Sequence, residues 1–161
     1  MCVCKDIIHT MPMYADGCDP EESYEGSDVW AYLDDLSVSW RKSGIEFLYC
    51  EVDMLADDGT GWDEKPFIAD GLFLLNKDMY RRYRRYIDWS HNEDWMWLST
   101  KFSYSRSANY YTAHYFCYVS TDGSASSSYS RYSNGLAPAF LLKSLPIDPK
   151  SAGESTQSGI V

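Results

Sequence analysis

The sequence predicts an α+β domain. Three observations carry that expectation: two segments with apolar residues at helical spacing behind good capping residues, several short runs dense in β-formers, and an Asp-Gly dipeptide between two such runs. At 161 residues the chain fits one ordinary domain, which buries roughly 68–70% of the surface its unfolded chain exposes, enough for a core without covalent staples.

Residues 1–26 are punctuated by Pro12, Gly17, Pro20 and Gly26 and read as a lead-in segment of short extended pieces and loops. From Ser27 the pattern changes. Ser27 or Asp28 can cap, and Val29, Trp30, Leu33 and Leu36 then recur at helical intervals, predicting a short amphipathic helix over about Asp28–Leu36. Ile45–Leu55 predicts a strand ended by the Asp57-Asp58-Gly59 turn. Gly71–Leu75 is a buried apolar run, after which Asn76 caps a helix Lys77–Tyr86. Trp95–Leu98 reads as a buried strand. Thr112–Ser120 predicts another, with the Asp122-Gly123 turn returning it to an antiparallel partner at Ser124–Ser128. On that strand, Ala113, Tyr115, Cys117 and Val119 share the face expected to point inward, and Thr112, His114, Phe116 and Tyr118 share the other. Residues 144–161, with Pro146, Pro149 and a polar run, read as a flexible tail, leaving 27–143 as the domain proper.

Charge is uneven. The net charge is −10, with 17 acidic and 4 basic side chains in residues 1–70 but 7 and 10 in residues 71–161. An acidic whole argues against nucleic acid as a partner, because phosphate binding needs a lysine and arginine footprint. Arg81, Arg82, Arg84 and Arg85 are the exception. They read as a solvated helix face paired with the acidic half, with Tyr80, Tyr83 and Tyr86 at helical core spacing. No apolar run approaches a membrane span, and the N-terminus lacks the order of a secretion signal. Five cysteines, Cys2, Cys4, Cys18, Cys50 and Cys117, are an odd, irregular set that favours folding in a reducing cytoplasm. No cofactor or metal is expected. Cys2-Val3-Cys4 lacks a matched second pair, His9, His91 and His114 are scattered, and Asp53, Asp57, Asp58, Asp63 and Glu64 do not have EF-hand spacing.

From Ser99 to Asn134, 7 of 36 residues are Tyr and 11 are Ser, and only Lys101, Arg106, Asp122 and Arg131 are charged. A disordered linker does not hold so many aromatics, nor a hydrophobic core so many hydroxyls. The composition matches an adaptable binding surface, in which Tyr supplies broad amphipathic contact and Ser and Asn supply small polar contacts. Half-buried strands with a serine solvent face are the competing reading. Ser103–Tyr111 and Ser126–Ser133 are loop-like stretches that favour the binding surface, and loops at about Thr100–Tyr111 and Tyr129–Asn134 are expected to flank the hairpin at one end.

With these residues in view, the chain resembles a bacterial and phage domain family found among the variable proteins of diversity-generating retroelements, with a C-type-lectin-like, formylglycine-generating-enzyme-like fold. The resemblance rests on five segments in order: SDVWAYL at Ser27–Leu33, GLFLLNKDMY at Gly71–Tyr80, WMWLST at Trp95–Thr100, YFCYVSTDG at Tyr115–Gly123 and GLAPAFLL at Gly135–Leu142. Where the family usually has arginine, this sequence has Ser99 and Ala137. The resemblance implies two short helices, small antiparallel sheets and long ligand-presenting loops. It also implies diversification at adenines, whose products from an AAY codon include Tyr, Ser, Asn, Asp, His, Arg and Gly but never Trp, Lys, Met or Glu. Residues 102–134 keep to that vocabulary.

The expected function is a ligand- or receptor-binding module on a phage particle or bacterial surface protein, not an enzyme. Its expected contact residues are Tyr104, Arg106, Ser107, Asn109, Tyr110, Tyr111, His114, Tyr129, Arg131 and Tyr132, with a protein or glycan ligand. A virion or cell-surface location follows from the resemblance, as does a homo-oligomer or attachment to a larger particle. Two alternatives stand beside it: a structural decoration domain of a particle, and a formylglycine-generating type of enzyme. The second needs a reactive cysteine pair, and Cys117 stands alone in its half of the chain.

Overall fold

A computed structural model describes residues 1–17, 23–54, 66–89, 91–102 and 115–143. They form a mixed α+β fold of two short helices and three small sheets. Helix α1 spans Asp28–Lys42 and starts at Ser27, whose Oγ accepts the Trp30 amide at 3.0 Å and donates to the Tyr24 carbonyl at 2.6 Å. The helix runs six residues past the end expected at Leu36. Serines hide the continuation: Ser37 is buried, donates to the Leu33 carbonyl at 2.7 Å and accepts the Leu72 amide at 2.7 Å, so a polar residue occupies a core position. Gly44, at φ +91°, ends the helix in the left-handed conformation that favours glycine.

The predicted strand Ile45–Leu55 is broken. Phe47–Leu48 (β3) and Cys50–Val52 (β4) belong to different sheets, with Tyr49 between them 75% exposed, and Leu55 lies outside the described residues. Strand β4 pairs only with Phe67–Ala69 (β5). Strand β3 pairs with Ala139–Leu142 (β10), which on its other side pairs with Cys2–Val3 (β1). The third sheet has five strands in the order β2-β9-β6-β7-β8, where β2 is His9–Pro12, β6 Met96–Lys101, β7 Tyr115–Val119, β8 Ala125–Tyr129 and β9 Ser133–Leu136. All its pairs are antiparallel except β6 with β9. The stretch 1–17, read from sequence as a lead-in, thus supplies β1 and β2 to two different sheets, and Met13 and Tyr14 join the core.

That core centres on Tyr24, Trp30, Phe67 and Phe73, whose rings meet edge-on or tilted at 5.2–6.3 Å. Tyr24 is fully buried, and its hydroxyl accepts the Leu74 amide at 2.9 Å, so burial pushes its ionisation well above the ordinary phenol range. The apolar run after Gly71 is buried as expected, and Phe73 exchanges two backbone hydrogen bonds with Ala139, at 3.0 and 2.7 Å. Asn76 then caps α2 (Lys77–Tyr83) by accepting the Met79 amide at 2.6 Å, and its amide group donates to the Asp53 carbonyl. The helix tightens into a 3₁₀ turn over Arg84–Tyr86, short of one continuous helix to Tyr86. Of the three tyrosines expected at core spacing only Tyr80 is buried; Tyr83, on the last turn of α2, and Tyr86, in the 3₁₀ turn, are exposed.

Two further expectations are corrected. Trp95 is 44% exposed and stacks on Tyr118 at 4.6 Å, so the buried strand begins at Met96 and runs to Lys101. On β7, Phe116 and Tyr118 are buried as well as Cys117 and Val119, since both faces of this inner strand are covered. Ala113, Thr112 and His114 lie outside the described residues.

Candidate functional site

The Asp-Gly turn sets the geometry of the candidate surface. Gly123 at φ +78° closes the turn, Asp122 accepts from the Ser124 amide at 2.9 Å and from Ser120 Oγ, and β7 and β8 then pair in register from Val119↔Ala125 out to Tyr115↔Tyr129. These bonds to the charged form hold the Asp122 carboxyl at about 2, below its ordinary 3.8. Tyr80 anchors the turn by donating to the Gly123 carbonyl at 2.8 Å. The two flanking loop sites therefore lie at the far end of the hairpin, five ladder pairs from the turn.

At that far end the Phe102 amide donates to the Tyr115 carbonyl at 3.0 Å. The chain between them, 103–114, starts and finishes at neighbouring strands. It carries Tyr104, Arg106, Ser107, Asn109, Tyr110, Tyr111 and His114, all of which lie outside the described residues. Beside its two ends sit the other three expected contact residues. Tyr115 and Tyr129 meet across the strands at a ring distance of 5.7 Å, and Tyr129 meets Tyr132 at 5.9 Å, both at 66°. Tyr132 is 64% exposed and Tyr129 half-buried. They join one rim cluster, and neither is a core residue.

The stretch Ser126–Ser133, read as loop-like, is instead half strand. Strand β8 runs to Tyr129, and only Ser130-Arg131-Tyr132 turn, closed by the Tyr132 amide on the Tyr129 carbonyl at 2.9 Å. Serine misleads here because β8 borders the sheet, where small hydroxyl side chains meet solvent on one side. Ser130 is buried and its carbonyl accepts the Tyr14 amide at 3.1 Å. Arg131 does not simply extend toward a ligand: its guanidinium donates to the Asp16 carbonyl at 2.6 Å and lies on Gly17, where any Cβ would approach Nε to 2.6 Å. It ties the rim turn to the 14–17 turn.

Sequence reasoning missed two rim residues. Tyr115 was assigned to the inward face, although counting symmetrically outward from the Asp-Gly turn pairs it with Tyr129. Lys101 is only 5% exposed, opposite Phe116 at the base of the 103–114 segment, and nothing in its local sequence marks it as buried. Within β6 of the same sheet, Ser99 is fully buried with no hydrogen-bond partner for its Oγ among the described residues, and Ala137, just after β9, is buried too, so an arginine at either position would have to enter the interior.

The remaining chemistry is sparse. Among the described residues no group of three or more His, Cys, Asp or Glu is arranged to hold a metal. Asp53 lies among them, whereas Asp57, Asp58, Asp63 and Glu64 do not. Cys2, Cys4, Cys50 and Cys117 are free thiols, and Cys18 lies outside the described residues. Cys117 is fully buried on β7. Burial, reinforced by Asp6 and Cys2, pushes the Cys4 thiol up, and burial raises Cys50, the reverse of what a nucleophilic thiol needs. Among the described residues no helix is long and apolar enough to cross a membrane. No protein-family model matches this sequence, and neither curated proteins nor solved structures gave a significant match.

Proposed function

We propose that this protein is a binding module of C-type-lectin-like architecture, with no catalytic role. It engages a protein or glycan ligand through Tyr104, Arg106, Ser107, Asn109, Tyr110, Tyr111, His114, Tyr129 and Tyr132, with Tyr115 added to the set and Arg131 acting chiefly to hold the rim turn in place. Two short helices, small sheets and long connections support the architecture. The observation that carries the binding reading is the convergence at one end of the five-stranded sheet. The 103–114 segment begins and ends beside the Tyr115–Tyr129–Tyr132 cluster, so six of the seven tyrosines of Ser99–Asn134 belong to that segment or to the cluster at its ends. Affinity at such a surface comes from a few aromatic anchors, with the serines adapting around them.

The resemblance to retroelement-diversified proteins supports a location on a phage particle or bacterial surface, alone, as a homo-oligomer, or attached to a larger assembly. Reading the gene's surroundings tests this. A reverse-transcriptase gene and a near-copy of codons 102–134 differing only at adenines is the expected finding. A neighbourhood without either would remove diversification from the reading, and scattered mismatches at other bases would contradict it.

A further inference from the structure

Two of the arginines of α2 and its 3₁₀ turn meet partners on their own element rather than in the acidic half of the chain. Arg82 bonds Asp78 one turn earlier on its own helix at 2.9 Å, and Arg85 lies over the Tyr86 ring at 4.6 Å. The Arg84 side chain is exposed and makes no hydrogen bond or ion pair among the described residues. It faces a cleft of about 520 Å³ between the 3₁₀ turn and the Asp-Gly turn. Ligand pockets commonly fall between about 300 and 1,000 Å³.

The walls of this cleft are fixed. Tyr80 and Trp89 stack almost in parallel, 3° apart at 5.5 Å, and the Tyr80 hydroxyl on the Gly123 carbonyl sets the distance between helix and turn. The Tyr80 phenol is pushed up by burial, pulled down by Arg84 and pushed up again by Asp122, so both charges lie near one hydroxyl. Asp122 is turned into its own loop by Ser120 and Ser124, which leaves the guanidinium groups of Arg84 and Arg85 as the cationic donors of the cleft, with Arg85 drawn over the Tyr86 ring. Thr121 adds an exposed hydroxyl, and Ile87 an apolar side.

We infer that this cleft binds a small organic ligand carrying one phosphate or carboxylate head, with Arg84 as the anion contact. A guanidinium fork matches either oxyanion, and charge-assisted bonds of this kind are about twice as strong as neutral ones. Size follows from the other charges. Asp88 and Asp122 line the same cleft and the whole chain carries −10, so an extended polyanion meets repulsion along its length. A single head at Arg84 is largely screened from charges more than one Debye length away, about 8 Å at physiological salt, and meets only those that line the cleft. This site lies at the turn end of the hairpin, away from the tyrosine rim, and does not depend on the function proposed above.

Proton–nitrogen NMR titrations of the full chain with phenyl phosphate and with benzoate test the inference, with benzyl alcohol as the neutral control and oligothymidine as the polyanion. The expected result is saturable shifts at the amides of Ser120–Gly123 and at the Arg84 side chain with one or both acids and none with the alcohol; the tighter acid identifies the head. Arg84→Gln weakens that binding about tenfold, whereas Arg82→Gln changes it less than about twofold. No saturable shift at the turn, equal loss in both variants, or tighter binding of oligothymidine across all four arginines overturns the inference.

Discussion

Tyrosine serves two different purposes in two regions of this molecule. Around α1 and the apolar run, Tyr24 and Tyr14 are buried and their hydroxyls meet backbone groups, the Leu74 amide and the Ser23 carbonyl respectively; Tyr80 is fixed in the same way on Gly123. At the far end of the five-stranded sheet, Tyr115, Tyr129 and Tyr132 instead meet one another ring to ring, with Tyr132 mostly in solvent. A buried phenol without a partner costs about 1–3 kcal/mol, so interior tyrosines come with a designated backbone group. The exposed Tyr132 needs none, because its hydroxyl is open to solvent. The difference separates interior tyrosines from those at the rim more reliably than composition does.

The largest effect expected from this contrast is in the interior. Phe67→Ala, which empties the centre of the ring cluster around Tyr24, Trp30 and Phe73, should cost about 3–5 kcal/mol in chemical denaturation. Tyr24→Phe keeps the ring but strands the Leu74 amide; a loss of about 1–3 kcal/mol is expected, and a neutral result would show that the hydroxyl is not the structural element claimed. The Asp-Gly turn between the two regions gives a pH signature. Because the folded Asp122 carboxyl sits at about 2 against an ordinary 3.8, its stabilising contribution is complete above the ordinary value and is lost as pH falls through about 2. A carbon-detected carboxyl titration should place Asp122 near that value, and Asp122→Asn should remove this part of the acid sensitivity. Smallest of all, Tyr132→Ser should change stability by no more than about 0.5 kcal/mol, since it removes one exposed ring from the rim.

What could be read from the sequence was the local chemistry. Ser27 and Asn76 cap their helices through the side-chain oxygens that their positions suggested, and the Asp-Gly turn folds β7 onto β8, with the end of β7 and both ends of β8 within a residue of expectation and Thr112–His114 outside the described residues. Both are decided within a few residues. The pairing of β1 with β10 and of β2 with β9 joins chain segments more than 120 residues apart, and no local pattern in the first 17 residues announces it. Ser37 and Ser39 interrupt the apolar stripe of α1 and concealed its last turns, although Ser37 is itself a core residue bonded at both ends. The rim followed the same division. Tyr129 and Tyr132 were recognisable as surface tyrosines, whereas the bond of Arg131 to the Asp16 carbonyl and the burial of Lys101 depend on segments that meet only in the folded chain.

We propose that the rim is a recognition surface that the core does not need. It can be tested by diversifying Tyr104, Arg106, Ser107, Asn109, Tyr110, Tyr111, His114, Tyr115, Tyr129 and Tyr132 together in a displayed library and measuring protease resistance across its members. The account predicts that most members stay folded, as they would not if Tyr24, Phe67 and Phe73 were varied in the same way, and that binders to a chosen protein or glycan can be selected from the survivors. Collapse of protease resistance in most of the library would contradict it and return these tyrosines to the core.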